Sequence, residues 1–284
     1  MKAKTKAEVT AQSMIAAGIF DLRLAAPGIA RTAQAGQFAD LYCRDKSRLL
    51  PRPVSLAGID AEKGEIRLIY RVSGAGTEEF SHLEKGETIE ALGPLGNGFP
   101  VAEALGRQLL LIGGGIGIPP LLETAKAVRR AASAEASGPE GPSGNTTVTA
   151  VLGYRDNETF LSDEFAAVCD RVVIATEDGS AGTRGTVLDA IREQLSGAVD
   201  TGDGSGRPAV VFACGPGPML RALKDWAEKQ QADCWISLEE RMACGIGACL
   251  ACVCRTKETD THSRVKNRRI CKDGPVFRAE EIDL

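Results

Sequence analysis

Near its end the chain reads Cys244-Gly245-Ile246-Gly247-Ala248-Cys249-Leu250-Ala251-Cys252, and a fourth thiol, Cys271, follows after 18 further residues. C-x4-C-x2-C with one distant cysteine is the plant-type spacing for a [2Fe–2S] cluster. Four thiolates must converge on two irons, so the backbone between the first three has to fold tightly. Gly245 and Gly247 permit the left-handed turns this needs and bring N–H groups close to the sulfurs, where such hydrogen bonds help set the reduction potential. Zinc also accepts four thiolates and is the rival occupant. Its sites usually pair two short C-x2–4-C knuckles, whereas here three thiols crowd one loop. A Rieske centre needs two histidines beside the cysteines; the chain has only His82 and His262, which read as surface or loop residues. Cys254 reads as a bystander thiol.

A second chemistry is written further upstream. The apolar run Gln108-Leu109-Leu110-Leu111-Ile112 enters Gly113-Gly114-Gly115-Ile116-Gly117-Ile118-Pro119-Pro120 and then a helical segment. A strand, a glycine loop and a helix N-terminus together make a phosphate cradle. The spacing is not the standard dinucleotide fingerprint, because Ile118 stands where the third glycine belongs. A tight βα turn without a ligand is the competing reading. Cys214-Gly215-Pro216-Gly217-Pro218 follows another apolar strand. Its position at a strand's carboxyl end would let Cys214 and Gly215 face a nicotinamide, against the plainer reading of a buried cysteine before a turn. Glu177-Asp178-Gly179-Ser180 could meet a ribose hydroxyl or form a turn. In the first third, Arg52-Pro53-Val54-Ser55 offers an arginine fork suited to a pyrophosphate. Tyr70-Arg71 and Gly76-Thr77 lie downstream of it.

The elements that must position these residues fall into three blocks. Residues 1–102 read as short strands separated by Gly- and Pro-rich turns, with Gly36 to Cys43 and Gly64 to Val72 the clearest, which suggests a small antiparallel barrel. Residues 103–232 alternate buried strands (108–112, 147–152, 171–176, 209–213) with helices from Leu121, Val187 and Pro218, an α/β unit on a parallel sheet. Ser133 to Thr146 and Ser196 to Arg207 read as solvated loops inside it. Residues 233–284 hold the cysteines and little regular structure, and so small a domain needs a staple. The whole is a multidomain chain, all-β followed by α/β. Its 284 residues are 43% hydrophobic and 25% charged, the composition of a globular protein with ordinary cores. A net charge of −4 gives no reason to expect nucleic-acid binding. No apolar run approaches the ~18 residues of a membrane span, and no apolar segment follows the basic N-terminus as a secretory signal would. Nine cysteines without such a signal point to ligation or free thiols in a cytoplasmic protein.

Taken in order, these segments resemble the electron-transfer subunits of class B dihydroorotate dehydrogenases, within the ferredoxin–NADP reductase-like superfamily. The likeness is carried by Gly36-Gln37-Phe38, Arg52 to Ser55, Gly93-Pro94-Leu95-Gly96-Asn97-Gly98-Phe99, the Gly113 to Pro120 loop and Cys214-Gly215-Pro216. Most specific are Glu239 to Cys252 and Cys271 to Phe277. The resemblance implies a FAD-binding barrel, a nicotinamide-nucleotide domain and a C-terminal [2Fe–2S] domain. It implies FAD contacts at Arg52, Pro53, Val54, Ser55, Ile69, Tyr70, Arg71, Gly76 and Thr77. NAD as exchangeable co-substrate falls to Gly113, Gly114, Gly115, Gly117, Cys214 and Gly215, and the cluster to Cys244, Cys249, Cys252 and Cys271. No catalytic residue for a pyrimidine is visible, so the implied partner is a separate FMN-containing catalytic subunit, in a heterotetramer of two of each. The alternative is the related FAD/[2Fe–2S] subunit of an NAD(P)H-dependent ferredoxin or sulfur reductase. The segment between Cys252 and Cys271 is a few residues longer than the family's, and Cys254 is extra.

Overall fold

The computed structural model describes residues 3–137, 144–195, 209–260 and 264–284. Its contacts divide the chain into two units. One runs to Gly98 and resumes over Leu238–Val276; the other covers Phe99–Ser237 and Phe277–Ile282.

In the first unit six strands close a barrel: β1 (Ala3–Ala16), β2 (Ile19–Ala25), β3 (Phe38–Tyr42), β4 (Arg52–Asp60), β5 (Glu65–Arg71) and β6 (Thr88–Leu95), in the order β1-β2-β5-β4-β3-β6. Every recorded pairing in it is antiparallel. Period-two alternation supplies the core: Leu22, Leu24, Leu41, Leu56, Ile66 and Leu68 are fully buried, which is the main stabilising term for a closed sheet. The short α1 (Pro27–Ala30) follows β2. The glycine-rich stretch after β5, expected as turn alone, opens a helix, α2 (Ala75–Ser81). Thr77 explains it: its hydroxyl accepts from the N–H groups of Ser73 at 2.9 Å and Gly74 at 3.3 Å, satisfying donors that a helix start leaves open.

The second unit is a seven-stranded sheet, β10-β9-β8-β7-β11-β12-β15. Its strands are β7 (Gln108–Gly114), β8 (Thr147–Tyr154), β9 (Arg171–Thr176), β10 (Thr183–Arg184), β11 (Val210–Cys214), β12 (Asp233–Ser237) and β15 (Val276–Arg278). The pairs from β10 through β12 are all parallel. Helices α3 (Ile118–Ala136), α4 (Ser162–Ala166), α5 (Val187–Gln194) and α6 (Gly217–Lys229) connect them. Continuous apolar strands buried on both faces produce this layer, and β11 is buried along its whole length. Strand β12 extends the parallel sheet beside β11, Val210 opposite Asp233. The expected third block, beginning at residue 233, thus opens with a strand of the α/β sheet. The loop expected over Ser133 to Thr146 starts later, because α3 runs to Ala136, and most of it lies outside the described residues. The whole of the Ser196 to Arg207 stretch lies outside them too.

The cysteine segment belongs with the barrel unit. It carries a two-stranded ribbon, β13 (Val253–Arg255) with β14 (Asn267–Arg269), and one helical turn, α7 (Ile270–Asp273).

Candidate functional site

In the second unit the chain leaves β7 towards β8 on one side and returns to β11 on the other, so β7 and β11 lie side by side at the point where strand order reverses. Open α/β sheets bind ligands outside the carboxyl ends of such strands. The two glycine loops sit there, with Gly113 opposite Cys214 in register. A Cβ on Gly117 would lie 2.4 Å from the Cys214 carbonyl oxygen and 2.6 Å from the Gly215 nitrogen. One on Gly215 would lie 2.4 Å from Met219 Cε, and one on Gly114 2.6 Å from Met219 Sδ. Gly115 takes φ +53. These glycines therefore let two loops touch backbone to backbone, and Pro119 and Pro120 at the start of α3 use positions where a helix lacks partners for its N–H groups. Met219, which fills the space the glycines leave, carried no signal in the sequence. Cys214 is fully buried and Gly215 is buried with it, so Pro216 and Gly217 present the loop's surface. Asp178 is engaged locally, accepting from the Ser180 N–H at 2.9 Å and hydroxyl at 2.6 Å, which holds its carboxyl below the usual range.

In the barrel, Arg52 begins β4, and its guanidinium passes over Gly76 so closely that a Cβ there would lie 2.2 Å from Nε. Nη1 donates to the Leu50 carbonyl. The structure thus brings Arg52 to the start of α2, where Gly76 and Thr77 stand. Val54 points into the barrel core, while Pro53 and Ser55 stay half-exposed. On β5, Arg71 is exposed and Ile69 is buried. Tyr70 turns into the core: its ring stacks on Phe20 at 5.8 Å, and its hydroxyl donates to Gln12 Oε1 at 3.1 Å. Only the backbone of Tyr70 is left to meet a ligand on the outside.

The cysteine loop folds as its glycines require. Gly245 has φ +65, Gly247 φ +84 and Leu250 φ +58. The Ala248 N–H points at Cys244 Sγ at 3.3 Å, and the Cys271 N–H at Cys252 Sγ at 3.4 Å. Burial disfavours the Cys244 thiolate, but the N–H groups of Ile246, Cys249 and Ala248, with the Cys249 thiol, outweigh it and bring Cys244 down to about 6. Burial and then the adjacent Cys252 push Cys271 up to about 12. Among the described residues no group of three or more cysteine, histidine or acidic side chains closes into metal-ligand geometry. The thiols lie as two neighbouring pairs, Cys244 with Cys249 and Cys252 with Cys271. Arg269 ties the two halves of the segment, paired with the Asp273 carboxylate at 2.9 Å and donating from Nη1 to the Gly247 carbonyl at 3.2 Å. Cys254 donates to the Arg268 carbonyl at 3.5 Å, and burial pushes it up to about 11. The donor set, four thiols with N–H groups aimed at sulfur, fits a thiolate-bound cluster, while the Cys254 thiol is turned to the Arg268 carbonyl.

Two clamps fix this segment to the barrel. Asn97, just past β6, donates from Nδ2 to the Val276 carbonyl at 2.8 Å and accepts the Val276 N–H at 2.9 Å, and its own N–H donates to the Gly274 carbonyl at 2.6 Å. On β3, Asp40 lies under the cysteine loop, where a Cβ on Gly245 would sit 2.0 Å from Oδ2. The alternation of β3 put Asp40 on the face opposite Ala39 and Leu41, but nothing in the sequence said that this face is covered.

A closed antiparallel barrel, a nucleotide-type parallel sheet and a thiolate site define a reductase of the ferredoxin–NADP reductase fold with an iron–sulfur module. The family models agree: residues 239–283 match the iron–sulfur cluster binding domain of dihydroorotate dehydrogenase B, and residues 111–225 an oxidoreductase NAD-binding domain. The dihydroorotate dehydrogenase B (NAD(+)) electron transfer subunit of Geobacillus sp. (strain WCH70) is 41% identical over 95% of both chains; that of Bacillus caldolyticus is 39% identical over the full length of both. The chain belongs to the family of dihydroorotate dehydrogenase B electron transfer subunits. Among solved structures, that of an NADH-dependent reduced ferredoxin–NADP oxidoreductase covers 99% of this chain and 91% of its own with TM-score 0.78 at 29% identity. A Neisseria gonorrhoeae ferredoxin–NADP+ reductase with bound FAD and NADP shares the fold, covering 80% of this chain and 91% of its own, with TM-score 0.63 at 17% identity.

Proposed function

We propose that this chain is the electron-transfer subunit of an NAD-dependent dihydroorotate dehydrogenase, taking electrons from a separate FMN-containing catalytic subunit through a [2Fe–2S] cluster and FAD to NAD+. The observation that carries it is the seating of the cysteine segment on the barrel. Asp40 of β3 pairs in register with Pro53 of β4 and lies under Gly245, so one strand stands between the Arg52–Ser55 strand and the cysteine loop. Electron transfer between a flavin and a cluster needs such proximity. Flavin chemistry joins the hydride of a nicotinamide to the single electrons of an iron–sulfur cluster, and the protein's task is to hold and tune each carrier.

The residues then take these roles. Arg52, at the edge of Gly76, binds the FAD pyrophosphate, with Pro53, Val54 and Ser55 along the same strand and Ile69, Tyr70 and Arg71 contributing backbone and charge from β5. Thr77 holds the start of α2 in place beside them. Gly113, Gly114, Gly115 and Gly117 keep the β7 loop low enough for a dinucleotide to cross it, and Cys214 and Gly215 form the floor opposite. Cys244, Cys249, Cys252 and Cys271 ligate the cluster, with Ala248 and Cys271 N–H groups directed at the sulfurs.

Exposed Ile246, Leu250 and Val253 surround the loop beside exposed Arg255, Lys257, Lys266 and Lys272. An apolar centre with a cationic rim suits a protein partner, here the catalytic subunit in a cytoplasmic heterotetramer of two of each. No helix among the described residues is long and apolar enough to cross a membrane.

Anaerobic assay of dihydroorotate-dependent NADH formation tests the reading. Activity is expected only when the chain is combined with its FMN subunit; turnover by the chain alone refutes it. The fold likeness to the ferredoxin–NADP oxidoreductase supports a second reading, a ferredoxin-linked reductase. It predicts NADH-dependent ferredoxin reduction with no need of the FMN subunit.

A further inference from the structure

Among the described residues, the two carboxyl oxygens of Asp40 are the only buried side-chain nitrogen or oxygen atoms without a hydrogen-bond partner. The residue has no exposed surface. Buried polar groups are nearly always paired, and one left over calls for an explanation. On β3 the flanking Ala39 and Leu41 enter the barrel core, so Asp40 projects from the opposite face. Its register partner Pro53 has no N–H to offer. Above it lies Gly245, whose missing side chain gives the carboxyl its room: a Cβ would come within 2.0 Å of Oδ2, and φ +65 already favours glycine. The titratable groups facing it are Tyr42 on its own strand and Cys244 on the loop.

We propose that Asp40 is a positioning residue for the cluster: its carboxyl, packed beneath Gly245, seats the Cys244 loop on β3, and through that seat it sets the cluster's reduction potential. Polar contacts in the shell around a metal's ligands orient those ligands and tune the centre. The proposal rests on Cys244 being a cluster ligand. It assigns a part to a side chain that neither binds iron nor, by its burial, meets a partner.

The test is a redox titration of the full chain followed by electron paramagnetic resonance, comparing wild type with Asp40→Asn and Asp40→Leu. Asparagine keeps shape and hydrogen-bonding capacity; leucine keeps bulk alone. The leucine variant is expected to shift the cluster's reduction equilibrium by about tenfold or more, which is 59 mV for one electron, with altered g values, while the asparagine variant stays within about threefold of wild type. The flavin potential is expected to stay unchanged in both. Equal shifts in both variants overturn the proposal, because removal of charge then accounts for the effect, and so does a leucine shift below about threefold. If Asp40→Leu fails to fold, Asp40→Ala is judged by the same limits, and an asparagine shift beyond about threefold is decisive by itself. Wild-type protein without iron, labile sulfide and a cluster signal would instead overturn the assignment of the ligands.

Discussion

Gly76→Ala tests the flavin assignment through a contact only the structure shows. The new Cβ would lie 2.2 Å from Arg52 Nε, 2.5 Å from Cζ and 2.6 Å from Nη2, whereas ordinary contact begins at 3.4 Å. The guanidinium must therefore retreat by 3.4 − 2.2 = 1.2 Å at least. A hydrogen bond of ~2.9 Å stretched that far is no longer a bond. Losing one bond from a charged donor costs about 1.5–3 kcal/mol, and at 1.4 kcal/mol per decade this weakens FAD binding roughly 10- to 150-fold. The helix itself should gain, since alanine is better than glycine in a helix by about 0.8–1 kcal/mol. Apoprotein stability is therefore expected to hold or rise while flavin affinity falls, an opposition that general misfolding cannot produce. The assay is fluorescence titration of apoprotein with FAD for Gly76→Ala, Arg52→Ala and the double variant. If the alanine acts through Arg52, the double variant loses no more than Arg52→Ala alone. Wild-type affinity in Gly76→Ala, or losses that add, would refute the reasoning.

Four further outcomes follow from the same geometry. Gly117→Ala sets a Cβ against backbone atoms that cannot turn aside, at 2.4 Å from the Cys214 oxygen; overpacking of about 1–3 kcal/mol should impair NADH-dependent flavin reduction in stopped flow and leave the cluster spectrum intact. Cys254→Ser should keep full iron and labile sulfide content, because that thiol is turned to the Arg268 carbonyl, whereas Cys249→Ser should lose it. Lys257→Glu with Lys266→Glu should slow association with the catalytic subunit and reduce its salt dependence, leaving FAD and iron content unchanged. In the α/β unit burial opposes the Asp170 carboxylate, but the Val148 N–H at 2.7 Å and Arg129 at 2.6 Å win and lower its pKa. A depressed folded value gives stability that is present above the unfolded pKa of ~3.9 and lost as pH falls through the folded one. Asp170→Asn should therefore melt earlier at neutral pH and show a flatter acid limb in calorimetry.

What could be read from the residues was whatever repeats or is spaced by local geometry. Alternation in Gly36 to Cys43 and a β-rich run after a turn in Gly64 to Val72 marked barrel strands, continuous apolar runs marked buried parallel ones, and C-x4-C-x2-C marked a thiolate site, because each pattern follows from backbone period, local propensity or ligand count. What could not be read was the partner of each element. The chain before the cysteines ends on β12 in one sheet, the chain after them enters β15 of the same sheet, and the stretch between joins the barrel unit. No periodicity encodes that excursion. Its anchors are single polar residues at unremarkable positions, Asn97 gripping the chain around Gly274 and Asp40 beneath Gly245, and their side chains look like turn and strand residues until the covering segment is known. The glycines show the same asymmetry from the other side. Gly76, Gly117 and Gly245 each stand where a Cβ would strike a particular atom of Arg52, Cys214 or Asp40. A glycine motif in this chain thus marks where two segments must touch, and the chemistry lies with the residue each glycine makes way for.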